Sequence, residues 1–192
     1  MQINEKLNLV LPLRRDEEGV PVVWGYHTPI SQEVFEACFR VLGATKAAMF
    51  AKGDSYLARV GPQVASLLLK DEAVKDRADR GMPPSDEEAV ALLADLKRLT
   101  LVMAPGQNGW EQVPVDVAIA RGTIDADDWR EAESGLVFFT CLYSICARSA
   151  KKITGNGTAA LLGGSMTSSA PTEYCAFLQK SMQDATTEQS PA

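Results

Sequence analysis

The block from Ile124 to about Lys152 constrains this chain more than any other stretch of it. It opens on Ile124-Asp-Ala-Asp-Asp-Trp129 and passes through the apolar run Gly135-Leu-Val-Phe-Phe-Thr-Cys-Leu-Tyr-Ser-Ile-Cys146. It closes on Arg148, Lys151 and Lys152. Acid at the start and base at the end complement a helix macrodipole, so the pattern predicts one helix over the whole block. Leu136, Phe139 and Tyr143 recur at helical spacing and predict one buried stripe. The apolar centre falls short of the roughly 20 residues that cross a bilayer. Such a helix must be covered by the rest of the chain or by a partner. Its apolar centre holds no catalytic group, which points to packing and association.

Composition narrows the setting. One domain is the default for 192 residues, with room for a second small lobe. Hydrophobic residues at 46% and charged residues at 23% are ordinary for a globular protein. A net charge of -6 argues against a nonspecific nucleic-acid binder, which carries a basic patch or stripe. The N-terminus lacks the basic and apolar segments of a signal peptide, and no segment reaches membrane-spanning length, so a cytosolic protein is expected. Cys38, Cys141, Cys146 and Cys175 form no CxxC, and His27 is the single histidine. Zinc sites use paired Cys or His ligands, so neither a metal nor a disulfide is expected; the thiols read as small buried hydrophobes.

Leu7, Leu9, Leu11 and Leu13 alternate with other residues and predict a strand. Val20 to His27 predicts a second, making a hairpin over about 6–27 across the charged turn that ends at Gly19. Pro12 and Pro21 confine these strands to an edge or to their ends. Ser31 caps a helix with Val34, Phe35, Cys38, Val41 and Leu42 on one stripe, stopped by Gly53. A second helix runs through Tyr56 to Leu68, kinked or broken at Gly61-Pro62. Residues 70–88 show no stripe after Val74 and predict an exposed connector. Ser85 or Asp86 caps the next helix, with Ala89, Leu92, Leu93, Leu96, Leu99 and Met103 on its buried face. Residues 104–109 predict a turn, Trp110 to Val115 a short extended piece, and Pro114 to Arg121 a short helix. Gly155-Asn-Gly157 predicts the end of the long helix.

The expected fold is therefore mainly α: a helical domain over 1–154 with a short N-terminal hairpin, then a flexible Gly/Ser/Thr-rich tail over 155–192. That tail is either partly disordered or one short helix over Thr172 to Met182, and its last ten residues have tail composition. The predicted core includes Phe35, Leu96, Leu136, Phe139 and Tyr143.

No catalytic residue stands out. The glycine-rich stretch Gly155 to Ser165 lacks the spacing of a phosphate loop. Asp125, Asp127 and Asp128 crowd together, but they open a helix, where carboxylates cap, and the calcium-loop pattern is absent. His27 has no identifiable nucleophile to serve and reads as structural. Trp110 and Trp129 are candidate interface anchors weighed against ordinary core tryptophans. Tyr174, Phe177 and Leu178 share one side of the expected C-terminal helix and join them as candidate partner-binding residues.

Several passages carry a family resemblance. They are Thr28 to Leu42, Leu96-Lys-Arg-Leu-Thr100 running into Ala104-Pro-Gly106, Gly109-Trp-Glu111 with Pro114-Val-Asp116, and Ile124 to Tyr143 with its Asp127-Asp-Trp129 and Phe138-Phe-Thr-Cys141. Together they resemble the tail assembly chaperones of long-tailed (siphovirus-type) bacteriophages, over roughly residues 7–178. The resemblance implies a helical, non-enzymatic protein without cofactor, made in the host cytoplasm. It implies binding to the tape measure protein, help in recruiting the tail tube protein, and departure before the virion matures. Self-association is a further partner mode; nucleic acid and membrane are not expected partners. The alternative is a permanent structural part of the virion, such as a tail completion or head–tail joining protein.

Overall fold

A computed structural model describes residues 7–107 and 109–188. The N-terminal residues read against a leader, the first residue of the expected hairpin, Asn108 of the expected turn and the last four residues of the expected tail lie outside the described residues. The chain is 60% helical and carries a five-stranded antiparallel sheet, 18% strand, so the fold is mixed α/β. This corrects the expectation of a mainly α domain with a short hairpin and a flexible tail.

The strands are β1 (Asn8–Arg15), β2 (Pro21–His27), β3 (Thr100–Gly106), β4 (Gly109–Pro114) and β5 (Ser165–Thr167), in the order β4-β3-β2-β1-β5. The hairpin therefore lies inside the sheet. Its prolines are tolerated for local reasons. β5 pairs only with Asn8 to Val10 of β1, so Pro12 stands past the reach of that neighbour. Pro21 is the first residue of β2. The turn is tied by Asp16, whose Oδ1 accepts from the Glu18 and Val20 amides at 3.0 and 2.8 Å. Gly19 supplies the left-handed φ of +82°.

Helices α1 (Gln32–Phe50), α2 (Asp54–Arg59) and α3 (Gly61–Asp79) follow the hairpin, with the break before Gly61-Pro62 as expected. The Ser31 hydroxyl caps α1 by accepting from the Val34 amide at 3.3 Å. The expected connector over 70–88 is largely helix. α3 continues because Ala73 is fully buried and Asp76 is held by Arg40 and Arg80, while Lys75 pairs with Asp71 and Glu72.

Helix α4 (Glu87–Arg98) stops earlier than its stripe suggests. The Thr100 hydroxyl donates to the Leu96 carbonyl at 2.8 Å, and the chain leaves as β3. Met103, expected on the helix, lies on a strand opposite Trp24. β3 is covered on both faces, so it reads as a continuous apolar run without alternation.

Helix α5 (Val115–Ala120) leads to α6 (Ala126–Tyr143). Asp125 caps α6 by accepting from the Asp127 and Asp128 amides at 2.8 Å, and Asp128 accepts from the Asp125 amide at 3.0 Å. This reciprocal box is the role read for the acidic cluster. The predicted helix to Lys152 is two helices. α6 ends at Tyr143, a turn and a short 3-10 segment (Arg148–Ala150) intervene, and α7 (Lys151–Leu161) starts again. The reversal brings Gly155 onto the Tyr143 ring, where a Cβ would lie 3.1 Å away, and sets the Lys151 ammonium 5.0 Å over that ring. α7 runs through the glycines expected to end it, because Ala159 and Thr158 are buried against the core and hold it in place. Helix α8 (Pro171–Glu188) closes the described chain. Residues 155–188 are thus two helices and a strand in place of a flexible tail.

Alternation along the strands splits the packing in two. Leu9, Leu11 and Leu13, Val23, Val102, Ala104 and Val113 face α1, α3, α4, α6 and α7 in the main core. Helix α6 is its axis: from Ser134 to Cys141 every residue is buried. The opposite face carries Val10, Tyr26 and Met103 and is covered by α8.

Candidate functional site

The predicted core residues fall in the main core. Leu96, Leu136, Phe139 and Tyr143 are buried, and Phe35 is half-buried against them. Phe139 and Tyr143 stack with ring centroids 4.8 Å apart.

The candidate partner-binding residues separate. Trp129 is buried in the main core, and its indole N–H donates to Glu133 Oε1 at 3.2 Å. Trp110, Tyr174 and Leu178 come together on the other face of the sheet. Phe177, one helical step away, points outward and is 61% exposed, with its ring 5.8 Å from that of Tyr174.

The site under α8 is built by the pleat. Val10 on β1, Tyr26 and Trp24 on β2, Leu101 and Met103 on β3 and Trp110 on β4 share one face. Helix α8 presents Tyr174, Cys175 and Leu178, spaced to lie on one side. The Tyr26 hydroxyl donates to the Ser169 carbonyl at 2.7 Å and pins the segment leading into α8. Glu173 Oε2 accepts from the Ala170 amide at 3.0 Å and tightens the first turn. Burial pushes the Tyr26 phenol up, and the Glu173 carboxylate adds to this; burial also raises the Tyr174 phenol, so both stay neutral donors. Gly109, at φ +111°, lets β4 pass beneath Gln179, which a Cβ would meet at 2.8 Å. Trp24, Tyr26 and Leu101 were not among the candidate partner-binding residues, and Met103 was expected on the buried face of a helix. Their signal was a period of two in β2, and in β3 it was hidden under a helical stripe.

His27 is fully buried. Because the Thr100 hydroxyl proton is given to Leu96, Thr100 Oγ1 accepts from His27 Nδ1–H at 2.9 Å. His27 Nε2 is then the bare acceptor, has no hydrogen-bond partner among the described residues and lies in an imidazole set edge-on to Phe139. Burial drives the imidazole down to about 3, so it is neutral. Cys141 is pushed up to about 12 and Cys38 to about 11, in both cases chiefly by burial, and both remain thiols. Among the described residues no group of three or more His, Cys, Asp or Glu side chains is placed to hold a metal ion, and no helix is long and apolar enough to cross a membrane.

No family model, no curated protein and no solved structure matches this chain.

Proposed function

We propose that the protein is a tail assembly chaperone of a long-tailed bacteriophage. It binds helical segments of the tape measure protein in the host cytoplasm, assists tail tube assembly without catalysis or cofactor, and leaves before the virion is complete. The observation that carries this reading is the second face of the sheet. It receives an amphipathic helix through Trp24, Tyr26, Leu101, Met103 and Trp110, and the helix it holds is the chain's own α8. Helix α8 buries only Cys175 and Leu178 there, with Tyr174 half-buried, among its side chains up to Lys180. A shallow, aromatic surface of this kind suits temporary helix capture. The passages quoted for the resemblance fit the same role. A tape measure is a long chain with apolar helical stripes that aggregate when bare.

Co-expression with the tape measure protein tests the reading. The expected result is soluble tape measure that co-purifies with this chain, and no copy of this chain in purified particles. Insoluble tape measure together with stoichiometric protein in mature particles would replace the reading with the structural, head–tail joining one.

A further inference from the structure

Helix α1 turns one face to the core and leaves another open. Cys38, Val41, Leu42, Thr45 and Met49 are its buried residues, and it packs on α3, α4 and α6. The outer face carries Gln32, Glu36, Phe39, Gly43, Lys46 and Phe50. Their steps of four, three, four, three and four residues are the spacing of a coiled-coil seam. Phe39 is 54% exposed and Phe50 45%. Nothing lies within 4 Å of the place a Cβ on Gly43 would take. A glycine here weakens the helix interior relative to alanine, and no close approach within the chain requires it. It leaves bare backbone between two exposed aromatic rings.

The seam is complementary to itself in reverse. Let a second α1 run antiparallel, with the two helices level at Val41. Positions equally far from Val41 then fall opposite one another. Phe39 meets the partner's Gly43, so each ring has a bare stretch of backbone to rest on. Glu36 meets the partner's Lys46, and Gln32 meets the partner's Phe50. Two-fold symmetry makes each of these contacts twice. The charges are available for this. Glu36 accepts from Gln32 Nε2 at 2.9 Å, Lys46 Nζ lies 5.8 Å over the Phe50 ring, and neither forms an ion pair among the described residues. Arg40 lies beside the axis, where it would face its own copy, but Asp76 already neutralises it at 2.9 Å. A parallel pair in register would set Glu36 against Glu36 and Lys46 against Lys46, which opposes association.

We infer that two copies of this chain associate through α1, antiparallel, about a two-fold axis at the level of Val41. One helix face is small for a stable interface, so the dimer is a reversible one. The main core separates this face from the second face of the sheet under α8, and the inference does not rest on the chaperone reading.

Sedimentation of the full chain from about 1 μM to 1 mM tests it. The wild type should pass from monomer to dimer within this range, and Phe39→Ala, at an exposed position, should stay monomeric with an unchanged circular dichroism spectrum. Glu36→Lys and Lys46→Glu should each weaken the dimer about tenfold by opposing like charges twice. Combined in one chain, the two changes exchange the partners and should restore the wild-type constant at the wild-type net charge. Gly43→Ala should raise the melting temperature of dilute monomer and yet weaken the dimer, which a merely structural glycine would not do. A wild type that stays monomeric up to about 1 mM overturns the inference. So does a dimer that is indifferent to Phe39→Ala or Gly43→Ala, or one that the double exchange fails to restore. If the wild type is monomeric and Phe39→Ala abolishes capture of co-expressed tape measure protein, the face belongs to that partner; the dimer then fails and the chaperone reading stands.

Discussion

His27 gives the sharpest residue-scale expectation, because it is the one histidine in the chain. Its imidazole is neutral in the fold, held down to about 3 by burial, whereas an unfolded histidine titrates near 6.5. Between those values the unfolded chain binds a proton that the folded chain refuses. Stability is therefore fully present above about pH 6.5 and falls as pH drops toward 3. At pH 5.5 the loss is on the order of 1 kcal/mol, a fall in melting temperature of a few degrees. Melting curves at pH 7.5 and 5.5 should show this drop in the wild type and a smaller one in His27→Gln. An equal drop in both would assign the pH dependence to other groups. Phe139 sets a second expectation. It is buried, stacked on Tyr143 and edge-on to His27, so Phe139→Ala should destabilise by about 3–5 kcal/mol through the cavity it leaves. Chemical denaturation measures it, and an unchanged midpoint would mean that the site collapses without loss.

At the scale of elements, the glycines of α7 and its exit discriminate between two roles. Gly157 lies in the helix with nothing near the place a Cβ would take, so Gly157→Ala should stabilise by about 0.5–1 kcal/mol. Gly164 lies just before β5, and a Cβ there would sit 2.2 Å from the Val10 carbonyl oxygen of β1. Gly164→Ala should therefore force β5 off the sheet and lower the melting temperature. If thermal melts move the two variants in the same direction, the packing of α7 and β5 is misdescribed. These elements also show what the sequence could convey. The hairpin, the Gly53 stop, the break at Gly61-Pro62 and the Asp125 cap were legible because local turn and cap chemistry decides them. The fate of Thr100 to Gly106 was not. Leu96, Leu99 and Met103 keep a helical spacing by coincidence, while the Thr100 hydroxyl and pairing with β2 decide the outcome. The same holds for α7, where burial of Ala159 overrides the weak helix propensity of Gly155 and Gly157.

For the whole molecule, the sheet separates a large helical core from the small cluster under α8, and that division was illegible in sequence. Trp110, Tyr174 and Leu178 were visible as large apolar residues, but only the sheet register places them with Trp24 and Met103. Trp129 carried the same signal and serves the main core instead. The division makes a final prediction. A chain ending at Ser168 keeps α7 and β5, whose Ala159, Leu162 and Met166 pack on the main core, and removes only the helix over the second face. It loses the burial of Leu178 and Cys175 and the hydrogen bond from Tyr26 to Ser169. The loss should be about 3–5 kcal/mol, short of what a core of this size supplies. The truncated chain should still melt cooperatively, at a lower temperature, and should bind an apolar dye such as ANS through the uncovered Tyr26, Met103 and Trp110. Loss of the cooperative transition would show that α8 is integral to the core. An unchanged melting temperature and no dye binding would show that α8 covers nothing the fold requires. The intermediate outcome is the one a removable cover demands, because a surface that gives up its own helix without unfolding is one that another helix can occupy.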